Sequence, residues 1–291
     1  MENRVVVAII TFSISLLGAI TNTLVLYVAT RLVSMRSAFG IITKNQTVLN
    51  MILSLVFLFC AFPWQLQVAL DLVPYSYYVG VVATTMYHGS VMFHLFLAVN
   101  RLCAVFFPLY YKKMFSNMFT INVSVAIWIL ASIKCSISYW IAGCYFQYYE
   151  SFWTFSSLSS NLCDAVNWYT DFVPNNSFGV LIVIMNLASA YRVGRNTKAL
   201  KTNGAQMTKQ QRQREIYFVK QSFFQGTSVF AGLVTYYVMA PWFDDEVILF
   251  VLSNVWAFFQ VSEGDRFQDI KKSKTELCSG YRRPAAKPSD G

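Results

Sequence analysis

Apolar residues run along this chain in blocks of roughly twenty, broken by short polar clusters, and that is the length needed to cross a hydrocarbon core of about 30 Å. The blocks cover residues 5–30, 46–70, 78–106, 119–146, 172–191, 221–240 and 247–261. The pattern predicts an all-α membrane protein, a seven-transmembrane helix bundle over residues 1–263 followed by a tail over 264–291. The seventh block is short: 247–261 would span only about 22 Å at 1.5 Å per residue.

The polar clusters alternate in sign. Arg31, Arg36 and Lys44 follow the first block, Asp71 the second, Lys112 and Lys113 the third, and Glu150, Asp164 and Asp171 the fourth. The most basic cluster, Arg192 to Lys220, follows the fifth, and Asp244, Asp245 and Glu246 follow the sixth. Only Arg4 and Lys134 fall outside the basic side, so 21 of the 23 Lys and Arg share one side while 8 of the 14 acids share the other. The asymmetry places the N-terminus outside and the C-terminus inside.

Composition agrees with the block pattern. Hydrophobic residues make up 56% of the chain, against about 45–50% in soluble domains even when glycine is counted. The net charge of +9 is read as topogenic charge, not as a nucleic-acid surface. The first block is too long for the core of a cleaved signal peptide and is expected to remain as a span. Arg212 and Arg214, in the polar loop after the fifth block, offer a basic face to anionic lipid or a protein partner; ordinary topogenic charge explains them equally well.

Candidate chemistry narrows the field. Two histidines and six cysteines without a CxxC pair give no zinc spacing, no cofactor motif and no acid–base constellation for an enzyme. No Asp or Glu falls within any of the seven blocks, which argues against a channel or transporter coupled to cations. No internal repeat points to a transporter of duplicated halves.

Polar residues inside the blocks carry the remaining information. Lys134 sits near the middle of the fourth, where a charge costs about 2.5 to 3.5 kcal/mol on insertion scales. It reads either as a cation beside a ligand cavity or as a lysine satisfied by serine and backbone oxygens or snorkelling from a tilted helix. Tyr87, Val91, His94 and Ala98 share a face of the third span that leads to Arg101. That face should look into the bundle, which makes His94 a candidate for the ligand cavity; Tyr87 and His88 lie higher and are better placed for ligand contact, with a hydrogen-bonded structural histidine as the alternative. Gly18, Asn22 and Asn50 suit close helix packing and interhelical hydrogen bonds. Cys144 and Cys163 both fall on the oxidising side, where they form a candidate disulfide.

Arg101 closes the third span in the run Asn100-Arg101-Leu102-Cys103-Ala104-Val105, with Pro108 downstream. An arginine there could simply snorkel. Together with Phe39-Gly40-Ile41-Ile42-Thr43-Lys44-Asn45-Gln46, and with Asn50 and Pro63 of the second span, the stretch resembles the nematode serpentine chemoreceptors of class X, within the rhodopsin-like G-protein-coupled receptors. The resemblance runs to about residue 240 and fails at the short seventh span. It implies a plasma-membrane receptor, in sensory cilia, for an external small-molecule or peptide ligand, coupled to a heterotrimeric G protein. Asn100, Arg101 and Leu102 would then lie at the G-protein cavity. Asn100 replaces the usual acid and cannot neutralise a guanidinium, so Arg101 should be less restrained at rest.

Overall fold

The computed structural model describes residues 2–151, 153–158 and 160–202, together with isolated positions between 227 and 252. Among them are five helices long and apolar enough to cross a membrane: α1 (Asn3–Arg31), α2 (Ala38–Gln65), α3 (Leu70–Phe106), α4 (Asn117–Ile141) and α5 (Asn161–Arg195). The blocks expected at 221–240 and 247–261 lie outside the described residues apart from those isolated positions. There, Asp245 Oδ1 accepts from the amides of Val247 and Ile248 at 2.9 Å each, as a helix-capping carboxylate does.

Lipid offers backbone groups no hydrogen-bonding partner, so each crossing segment closes its bonds within a helix. Hydroxyls inside the spans do the same locally. Thr47, Ser54 and Ser124 each donate to the carbonyl four residues earlier at 2.8 Å, which lets a polar side chain sit in hydrocarbon without an orphan proton. At helix starts, Ser116 Oγ accepts from the amide of Phe119 at 3.2 Å and Ser160 Oγ from that of Cys163 at 3.1 Å.

α3 is the central span: 61% of its apolar window is buried, against 22% to 39% in the other four. Ile42, Leu49 and Leu53 of α2, Phe93 and Leu97 of α3 and Ile127 of α4 form the core between these three helices. α1 adds Val25 and Ala29, packed against Met35 of the following turn.

The helix bounds differ from the hydropathy blocks in α2, α4 and α5, and α3 starts at Leu70 instead of 78. α2 starts at Ala38 instead of 46, because Lys44 is accommodated half-buried within the helix. It ends at Gln65, where Gln67 and Ala69 adopt positive φ and reverse the chain. α4 stops at Ile141, ahead of Gly143 at φ 69°, a backbone setting that glycine adopts at little cost. α5 begins eleven residues before the block expected at 172.

The described residues are mostly helical, with one short hairpin that the hydropathy pattern did not include. Phe146–Tyr149 (β1) and Thr154–Ser157 (β2) pair antiparallel and fold over the end of the bundle where α2 and α4 finish and α3 and α5 begin. Aromatic packing seats the hairpin: Trp64 of α2 lies 5.3 Å from the ring of Tyr148 and 5.9 Å from that of Phe155. Polar anchors fix its height. The amide of Tyr148 donates to Ser76 Oγ at 3.1 Å, Gln65 Nε2 donates to the carbonyl of Trp153 at 2.7 Å, and the Tyr139 hydroxyl accepts from the amide of Phe146 at 3.0 Å. Burial pushes the Tyr148 phenol above its ordinary pKa; Glu150 adds to the shift and Arg4 opposes it.

Candidate functional site

α3 carries two sets of buried polar groups, one near its midpoint and one near its Phe106 end, and so divides the candidate residues into two sites. Near the midpoint, three helices converge on His88, which is buried. Lys134 Nζ of α4 lies 3.0 Å from His88 Nδ1. Asp171 Oδ1 of α5 lies 3.6 Å from His88 Nε2, beyond hydrogen-bond length but close enough for attraction. Asn175 Nδ2, one turn further along α5, donates to Asp171 Oδ1 at 2.6 Å and lies 3.4 Å from the Tyr87 hydroxyl.

With Lys134 as an ammonium, which only donates, His88 Nδ1 is the acceptor and the ring hydrogen is assigned to Nε2, facing the carboxylate. The chain therefore reads ammonium, neutral imidazole, carboxylate, with no net charge. This arrangement offsets part of the cost of a half-buried ammonium inside the membrane, since Lys134 meets an acceptor with a carboxylate beyond it.

The sequence alone put Asp171 in a loop and left the spans without an acid. The structure corrects both points: α5 extends back to Asn161, so Asp164 and Asp171 lie on a helix. A signal for the earlier start was present in Ser160, which caps the helix, and Asp164 in its first turn, where a negative charge favours the positive end of the helix dipole.

His94, grouped with His88 by sequence, is not part of this cluster. It lies six residues on, about 9 Å deeper along the helix axis, with the side-chain amide of Gln46 in α2 3.0 Å from its Nε2. Between the two levels Ser90 Oγ donates to Asn50 Oδ1 at 2.7 Å, so Asn50 makes an α2–α3 bond. Asn22 behaves differently: its Nδ2 donates at 2.8 Å to the carbonyl of Gly18 within α1, where both residues are buried.

Near the Phe106 end of α3, Arg101 is 1% exposed, with its guanidinium 5.8 Å from the ring of Phe39. Asn100 Nδ2 donates at 3.0 Å to the Tyr111 hydroxyl of the short helix Pro108–Met114. Asn100 thus ties α3 to its own following loop. Leu102 is half-buried beside them. Arg212 and Arg214 lie outside the described residues. Cys144 and Cys163 are joined by a disulfide with Cα atoms 5.3 Å apart, which links the hairpin's start to the first turn of α5. Among the described residues no group of three His, Cys, Asp or Glu side chains could hold a metal ion.

A bundle of membrane-spanning helices packed around a central span that carries buried polar groups is consistent with a serpentine receptor. The family model described as "Serpentine type 7TM GPCR chemoreceptor Srx" matches residues 12–265, and the chain belongs to that family. Two similar proteins are both from Caenorhabditis elegans. Serpentine receptor class X 45 is 25% identical over 266 residues, covering 87% of this chain and 72% of that protein. Serpentine receptor class X-43 is 23% identical over 234 residues, covering 79% and 69% respectively.

Proposed function

We propose that the protein is a seven-span receptor of the plasma membrane that binds an external ligand at the hairpin end and signals through a heterotrimeric G protein at the Arg101 end. The observation that carries this reading is the pairing, on one buried helix, of the His88 cluster near its midpoint and Asn100-Arg101 near its Phe106 end, in a chain of a chemoreceptor family. Tyr87, His88 and Lys134 line the ligand site in this reading. Arg101, with Arg212 and Arg214 of the basic loop, meets the G protein. The charge asymmetry of the loops supports an outside hairpin and an inside C-terminus.

Expression of the tagged receptor at the cell surface with a calcium or cyclic-nucleotide readout, screened against small molecules and peptides, tests the assignment. A ligand response that is lost in Arg101→Ala at equal surface level is expected. A response unaffected by Arg101→Ala overturns the coupling role, and an inside location of the Cys144–Cys163 loop overturns the orientation.

A further inference from the structure

The acid facing His88 owes its position to an irregularity in α5. Residues Trp168–Phe172 form a π turn, a single wide turn that inserts one residue and so rotates what precedes it by about 100° relative to an uninterrupted helix. The rings of Trp168 and Phe172 stack at 4.2 Å across the turn. Asp171 faces the bundle within this turn and shares a face with the buried Asn175 one turn on. Asp171 is the more open end of the pair: its side chain is 32% exposed against 6% for His88.

We propose that Asp171 is the positioning residue of the ligand site, supplying through His88 the counter-charge that holds Lys134 against α3. The arrangement spans three helices. The ammonium comes from α4, the imidazole from α3 and the carboxylate from α5, and removing one charged end strands the other in a low-dielectric interior. Asn175 steadies the carboxylate, and Tyr87 closes the same corner. The assignment rests on reading this cluster as the ligand site and deepens it, but its test needs no ligand, so the two can fail separately.

The test is the sign of an epistasis. Asp171→Asn keeps the shape and the capacity to accept from Asn175 while removing the charge; surface level should fall several-fold, as lost stability lowers abundance in cells. Adding Lys134→Met removes the stranded ammonium and should restore it, and Asp171→Glu should retain it. A purely structural role for Asp171 gives the opposite sign, because Lys134→Met would add to the loss.

A spectroscopic arm uses the fact that the chain has only two histidines. With nitrogen-labelled histidine in lipid nanodiscs, the resonances that vanish in His88→Gln belong to His88. They should move in Asp171→Asn/Lys134→Met relative to Lys134→Met, while those of His94 stay in place. Unmoved His88 resonances, or a double variant worse than Asp171→Asn, overturn the proposal.

Discussion

The carbonyl oxygen of Phe146 rests directly against the backbone of Gly80, so that a β-carbon built on Gly80 would overlap it. β1 can approach α3 this closely only because the helix presents no side chain there. Gly80→Ala should lift the hairpin from its seat and cost about 1–3 kcal/mol, the range for forced overpacking. Gly194→Ala, where a β-carbon meets nothing within 4 Å, is the control. Thermal melting of the purified receptor should show a clear drop for the first and none for the second.

The Cys144–Cys163 bridge closes a segment with a sequence separation of 19. By loop-closure entropy it should contribute about 3 kcal/mol. Replacing both cysteines by serine should lower the melting temperature and the surface level. Mass spectrometry of non-reduced surface protein should recover the bridged peptide, and two free thiols would contradict it.

Asn50 and Asn22 make a matched comparison, one bonded across helices and the other within its own. Asn50→Leu strands the Ser90 hydroxyl and should cost about 0.6 to 1.7 kcal/mol, as interhelical hydrogen bonds in membranes do. Asn22→Leu removes a local bond to Gly18 and should cost less. Reversal of that order in melting experiments would show that Asn50 does not tie α2 to α3.

Asn100 precedes Arg101 in the sequence and brings no negative charge of its own. Asn100→Asp should restrain the guanidinium through a charge-assisted bond and lower ligand-independent signalling at equal surface expression. Basal activity that rises or stays level would remove the restraint from the account.

The short block at 247–261 gives a prediction independent of the described residues. Eight apolar residues inserted after Val261 bring it close to the thickness of the hydrocarbon core. Surface level and signalling should rise relative to the native chain, and equal values would show that its length is already sufficient.

Hydrophobic block length by itself determined that this chain crosses a membrane repeatedly, because an apolar run of about twenty residues has no other low-energy solvent. The motif around Asn100 and Arg101 likewise pointed to the receptor family directly. What escaped the sequence were features that depend on partners distant in the chain. Asp171 counted as a loop acid because residues 161–171 are too polar for a hydropathy window, although Ser160 caps a helix there and the π turn aims the carboxylate at His88. The hairpin escaped because four-residue strands carry almost no periodic signal, and its seat on Trp64, Ser76 and Gly80 exists only once α2 and α3 are side by side. His88 and His94 both read as cavity candidates from their place in the third span, although six residues put them about 120° apart around the helix. Only tertiary structure separated them, since the charge on one neighbour and the amide on the other come from different helices, and a buried polar group takes its meaning from whichever partner packing brings within reach.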